Sequence, residues 1–197
     1  IAILGAGNAG CAVAADLTLK GNCVTLIKTS KAVHNDNYRY MKEHQNELVL
    51  WEGKKKESVC IFDVTTDISK VSYNDIIIIY VQTNYHEQLI RKIAPYLKND
   101  QIIIINPGYL STTFMLKYCK DKDITIVEAT SSFIDCRIIE PGIIKVGFRN
   151  VRNPIGIYPR KNINLVKEKL DCLQYNFHYF NLSPLFSNLA ILHLDIF

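Results

Sequence analysis

Short apolar runs alternate with longer mixed segments from the start of the chain to residue 128. Ile1 to Leu4 is apolar and ends in glycines, the pattern of a parallel strand buried on both faces. Ala9 to Lys20 is rich in alanine and leucine, lacks proline and predicts a helix that Gly21 closes. Cys23 to Ile27 is the second strand, and the three segments form one strand–helix–strand unit of about 30 residues. Lys31 to Gln45 is polar and helical in pattern. Glu47 to Trp51 and Ser58 to Phe62, joined by a polar loop with glycine, predict a hairpin on an edge or an excursion from the main sheet. Asp75 to Val81, Gln101 to Ile105 and Ile124 to Glu128 are further strands. Helices are expected between them over His86 to Leu97, with Pro95 distorting its last turn, and over Thr112 to Cys119. This alternation predicts an α/β fold with a doubly wound parallel sheet and an added β-hairpin.

The period then changes. Cys136 to Ile139, Ile143 to Phe148 and Pro154 to Tyr158 read as short strands around Pro141-Gly142, and Asn164 to Leu173 as a helix. No repeat or low-complexity segment interrupts the pattern.

Of the 197 residues, 48% are apolar and 21% charged, the balance of a water-soluble globular domain. Net charge is +4 and dispersed, apart from Lys54-Lys55-Lys56, which reads as a solvated hairpin tip. No basic stripe interleaved with aromatics runs along the sequence, so no nucleic-acid partner is expected. No run approaches the roughly 18 apolar residues of a membrane span. The six cysteines have no metal-ligand spacing, no metal site is expected, and scattered thiols fit a reducing cytoplasm. The chain starts inside a strand without Met and stops at Phe197 without a capping signal, so it is expected to be a fragment of a longer enzyme.

Candidate chemistry begins at Gly5-Ala6-Gly7-Asn8-Ala9-Gly10, a glycine turn between a strand and a helix. Gly5 permits the tight turn, Gly7 lets the backbone approach a diphosphate, and Gly10 lets helix and strand pack closely. The free amides of the helix start and its positive dipole end face the phosphates. These features predict a Rossmann-like dinucleotide site. An acidic residue that would bind the ribose hydroxyls of NAD is missing from Ile27-Lys28-Thr29-Ser30-Lys31. Lys28 and Thr29 suit a 2′-phosphate, so NADP(H) is favoured over NAD(H). Val81 and Gln82 after one strand, and Asn106 and Pro107 after the next, are expected to line the ribose and nicotinamide.

The sequence resembles the octopine/nopaline (opine) dehydrogenase family. The likeness rests on Ile3 to Gly10, on Val81-Gln82-Thr83-Asn84-Tyr85-His86-Glu87, on Glu128 to Ile138 followed by Pro141-Gly142, and on Ser187 to His193. It implies a two-domain enzyme with the dinucleotide domain at 1–180 and the start of an all-helical, substrate-binding domain at 181–197. It implies reductive condensation of an α-keto acid with the amino group of an amino acid. His193 would be the acid/base at the keto-acid carbonyl, and Ser131, with neighbouring Thr130, would contact the keto acid. Leu194 stands where the family has proline after the histidine. A homodimer through the helical domain is the protein partnership it leaves open.

A neutral imidazole at His193 suits proton transfer to a developing alkoxide or carbinolamine. His34, His44, His86 and His178 read as structural, Cys136 as a packed thiol, and Arg137 as the partner of a carboxylate such as Glu128. Two other functions fit the glycine turn. One is a related reductase, ketopantoate-reductase-like or glycerol-3-phosphate-dehydrogenase-like. The other is a dinucleotide-binding module without catalysis. With His193 at the start of the missing domain, the chain alone is expected to bind cofactor without turnover.

Overall fold

The computed structural model describes residues 1–179. In chain order the elements are β1 (Ala2–Leu4), α1 (Asn8–Leu19), β2 (Thr25–Ile27), α2 (Asn35–Glu43), β3 (Glu47–Glu52), β4 (Lys55–Cys60), β5 (Asp63–Thr65), β6 (Ile76–Ile79), α3 (His86–Ile93), β7 (Ile102–Ile105), α4 (Thr112–Tyr118), β8 (Thr125–Ala129), β9 (Ile134–Glu140), β10 (Ile143–Arg149), β11 (Asn153–Tyr158), α5 (Ile163–Leu170) and β12 (Phe177–Tyr179). The expected second-domain start at 181–197 lies outside the described residues.

Eight strands form one sheet in the order β12-β11-β8-β7-β6-β1-β2-β5. Every neighbouring pair from β5 to β8 is parallel. β11 joins antiparallel to β8, and β12 lies parallel to β11. The run from β5 to β8 is the doubly wound parallel sheet expected from the alternation of strands and helices. β5 has no counterpart in that expectation, because three residues, Asp63-Val64-Thr65, are too few to show a period.

Alternation of side chains divides the core in two. Ile3, Ile76, Ile78, Ile102 and Ile104 face one side with α1, and Ala2, Leu4, Ile77, Ile79, Ile103 and Ile105 face the other with α3. A strand covered on both faces has no reason to carry polar residues, which accounts for its unbroken isoleucines.

The hairpin β3–β4 is part of a larger unit than expected. β3 pairs in parallel with β10, and β10 antiparallel with β9, giving a second, four-stranded sheet in the order β4-β3-β10-β9. Its inner face, with Leu48, Leu50, Cys136, Ile144 and Val146, packs in the α1-side core. Asp16 of α1 fastens the two sheets. Its carboxylate accepts from Arg149 of β10 at 2.7 Å and from the Tyr175 hydroxyl at 2.6 Å, and it pairs with Lys20 at 2.9 Å. Arg149 also binds both carboxylate oxygens of Glu52 through Nε, at 3.0 and 2.9 Å. Burial alone would raise the Asp16 carboxyl, but the hydrogen bonds from Lys20, Tyr175 and Arg149 outweigh it and hold the group below its ordinary value.

Candidate functional site

The glycine turn leaves β1 and opens α1 as the sequence demands. Gly5 has φ +113°, and a Cβ there would lie 2.1 Å from the Tyr80 carbonyl oxygen. A Cβ on Gly10 would lie 1.7 Å from the Gly5 carbonyl oxygen. Neither position can carry a side chain, because backbone rather than a movable group fills the space. Gly7 is the extended N-cap of α1, and the nearest atoms to a Cβ there belong to the His34 ring at 3.6 Å. At Gly7, then, no backbone fills the Cβ position, and the neighbour is a side chain at ordinary contact distance.

The amide of Gly5 is used by Ile27 O and that of Cys11 by Gly7 O. Between them, the amides of Ala6, Gly7, Asn8, Ala9 and Gly10 have no acceptor among the described residues. Five consecutive open donors at the positive end of a 12-residue helix form a cradle that a diphosphate would fill. The Asn8 side chain takes no part in it. Its Oδ1 accepts from Ile138 N at 2.8 Å, which ties the helix start to β9.

The other expected cofactor residues stand along the same carboxyl edge of the sheet. After β2, Lys28 is buried and turns its Nζ onto the Ser30 carbonyl oxygen, and desolvation lowers its pKa. Thr29 is half-buried and Lys31 exposed, so Lys31 is the cation facing solvent in this loop. Val81 is half-buried and Gln82 exposed after β6. Asn106 is buried at the end of β7, with half-buried Pro107 following through a cis peptide. Its Nδ2 donates to the Tyr80 hydroxyl at 3.1 Å, while its Oδ1 has no partner among the described residues. A buried carbonyl without a donor is costly, and here it sits at the edge where a ligand would supply one. Burial pushes the Tyr80 phenol up, so it stays a neutral hydrogen-bonding group.

After β8, Thr130 is half-buried and Ser131 exposed. Asn150 Nδ2 holds this loop by donating to the Ser132 carbonyl oxygen and, at 3.5 Å, to Ser131 Oγ. The turn, the 81–85 and 106–111 loops and the 130–133 loop thus converge at one mouth. His193 lies outside the described residues.

Two buried groups brace the mouth. His86 Nε2 lies 3.0 Å from Val81 O, and Nδ1 lies 2.6 Å from Ser111 Oγ. A carbonyl only accepts, so Nε2 carries the proton and the Ser111 hydroxyl donates to Nδ1. Burial lowers the pKa of this imidazole and keeps it neutral. Glu128 accepts from Leu110 N at 3.2 Å, Thr112 N at 2.5 Å and Thr112 Oγ1 at 2.7 Å. Arg137 has a carboxylate partner as expected, but the partner is Asp135 and not Glu128. Arg137 is exposed and lies 3.5 Å from Asp135, because β9 belongs to the second sheet while Glu128 ends β8 of the main one. Cys136 is buried, which pushes its thiol up to about 11, the behaviour of a packed thiol. His34 is the residue near the mouth that spacing did not single out. It holds a left-handed backbone at φ 55°, and no sequence signal places its ring beside Gly7.

Among the described residues there is no grouping of three or more His, Cys, Asp or Glu able to hold a metal ion, and no helix long and apolar enough to cross a membrane.

The profile of the ketopantoate reductase PanE/ApbA family matches residues 1–150. The chain belongs to this family. The resemblance to opine dehydrogenases has a counterpart among curated relatives as well. The opine dehydrogenase of Arthrobacter sp. (strain 1C) is 32% identical over 151 residues, which cover 74% of this chain and 40% of that protein. Among solved structures, octopine dehydrogenase with NADH and L-arginine superposes at a TM-score of 0.75 with 18% identity, over 91% of this chain and 48% of that one. Yersinopine dehydrogenase with bound NADP+ superposes at 0.71 with 18% identity, over 95% of this chain and 48% of that one. The chain spans about half the length of these enzymes or less. The two structures share its fold.

Proposed function

We propose that this chain is the dinucleotide-binding part of a cytoplasmic, NADP(H)-preferring opine-type dehydrogenase. The whole enzyme would condense an α-keto acid with the amino group of an amino acid and reduce the product. The observation that carries the reading is the row of open amides from Ala6 to Gly10, framed by two glycines whose Cβ positions are filled by backbone. The 32% identity to an opine dehydrogenase supports the substrate class. Exposed Lys31 and half-buried Thr29, with no carboxylate from residue 27 to 31, support the 2′-phosphate.

The nicotinamide, when bound, supplies the hydride. The residues of this chain bind and orient. The amides from Ala6 to Gly10 hold the diphosphate, and His34 borders it. Asn106 Oδ1 takes a hydrogen bond from the nicotinamide end or the substrate, with Tyr80 fixing its carboxamide. The Ser131 hydroxyl, beside Thr130, contacts the keto acid. His193 moves the proton at the keto-acid carbonyl, and the helical domain beginning at 181–197 encloses the amino acid and provides the surface for a homodimer. Hydride transfer needs the reacting groups in near-attack geometry, so the 197-residue chain alone binds cofactor without turnover.

Fluorescence titration with NADPH and NADH tests the cofactor site. Binding of both, tighter for NADPH, is expected, and binding of neither defeats the reading. The match to the ketopantoate reductase profile favours a second reading, reduction of ketopantoate. Assays of the full-length enzyme with NADPH decide between them. Turnover with pyruvate plus an amino acid supports the opine reaction, and turnover with ketopantoate alone overturns it.

A further inference from the structure

Register across the four-stranded sheet assembles a surface that the order of residues along the chain conceals. Trp51 of β3 stands opposite Lys56 of β4 and Lys145 of β10, and Lys145 stands opposite Arg137 of β9. The sequence shows no basic stripe with an aromatic in it because these four residues come from four strands. At a strand spacing of about 4.8 Å the row is about 14 Å long.

The row lies on the outer face. Lys56, Lys145 and Arg137 are exposed. Lys56 Nζ lies 4.1 Å and Lys145 Nζ 5.3 Å from the centroid of the Trp51 ring. The indole is half-buried, and its Nε1 donates to Gly53 O at 2.9 Å, so the ring is held along the sheet rather than raised from it. Phe148, 56% exposed, adds a second aromatic on β10, the other central strand. Neither Lys56 nor Lys145 has a carboxylate partner within 4.0 Å among the described residues, whereas Lys55 pairs with Glu57 at 2.7 Å. Arg137 shares Asp135 in a contact exposed on both sides.

An indole with two lysines over its ring that have no carboxylate partner suits a chain with both planar bases and regularly spaced phosphates, because the lysines can swing from the ring to phosphates as a base takes their place. We propose that this face binds single-stranded nucleic acid. Bases stack on Trp51 and Phe148, and Lys56, Lys145 and Arg137 take the backbone phosphates. An acidic peptide would use the cations but not the rings. Phe148 and Ile139 also project here, so the vesicle arm of the test below separates a membrane from a nucleic acid.

Trp51 is the only tryptophan in the sequence, so its fluorescence reports on this face. An oligothymidylate of about 12 nucleotides, longer than the row so that three successive phosphates can engage it, should quench it. Three engaged phosphates predict a loss of affinity of about 20-fold between about 50 and about 200 mM salt. The Lys56→Ala/Lys145→Ala variant should lose at least about tenfold in affinity and show a shallower salt slope. Its circular dichroism and its NADPH titration should match the parent. Absence of quenching, quenching without salt dependence, or undiminished affinity in the double variant overturns the proposal. So does quenching by anionic phospholipid vesicles or polyglutamate but not by the oligonucleotide.

Discussion

At Gly10 one methyl group decides whether α1 can sit where it does. The Cβ of Gly10→Ala would fall 1.7 Å from the Gly5 carbonyl oxygen, and neither atom belongs to a movable side chain. The helix start must shift, and the open amides shift with it. We expect the variant to lose NADPH binding by more than tenfold, about 1.4 kcal/mol or more, and to unfold at lower denaturant. An unchanged dissociation constant would show that the cradle does not depend on this contact. The three glycines were legible because each has a separate steric duty and their spacing is fixed by the turn. His34 was not legible, since its place beside Gly7 follows from a left-handed backbone at φ 55°, which few non-glycine residues adopt even though histidine is among those enriched there. Lys28 was legible as a cation but not in direction, because whether a lysine reaches solvent or folds onto a neighbouring carbonyl depends on packing.

Among the elements, α4 depends on a residue from another strand. Glu128, at the carboxyl end of β8, accepts from the backbone amides of Leu110 and Thr112 and from the Thr112 hydroxyl. It supplies the acceptors that the first turn of a helix lacks. Gly108 lets the loop pass close, since a Cβ there would lie 2.6 Å from Glu128 Cβ. Glu128→Ala should cost about 2 kcal/mol and raise amide hydrogen exchange over 108–118. Exchange confined to its parent rate would refute the capping role. In the main sheet β6 and β7 were legible from continuous isoleucine runs and β1, β2, β8 and β11 from short apolar runs, whereas β12, Phe177–Tyr179, was not foreseen. β5 was too short to show a pattern. The partnership of β3 with β10 was hidden for another reason: a hairpin predicts its own turn, but nothing local announces a parallel partner about 90 residues away.

For the whole molecule, the carboxylate of Asp16 is the point where α1, β10 and the 174–176 segment meet. Its folded pKa is depressed, so its contribution is fully present above the ordinary carboxylate range and is lost as pH falls through the folded value. Asp16→Asn should cost about 3 kcal/mol at pH 7, a drop of roughly 6 to 12 °C in melting temperature for a chain of this size. The gap between variant and parent should narrow below about pH 4. A gap that persists unchanged at low pH would mean that the charge is not what matters. The two cations of the network, Lys20 and Arg149, are taken up by Asp16 and Glu52, so among the described residues the cavity of about 390 Å³ beside them, at the far end of α1, offers no free charge to a ligand.

The parallel pairing of β3 with β10 also sets where the chain can be cut. By topology the nucleotide-binding half looks finished at Ala129, when β8, the last strand of the parallel run that begins at β5, is in place. A protein ended there would keep β3 but lack the strand that covers its inner side, leaving a row of bare amides and carbonyls open to association with other copies. A cut after Arg149 would bare β8 in the same way, because β11 covers it, so a unit with neither edge exposed extends at least through Tyr158, and the two stretches that build the second sheet must fold together.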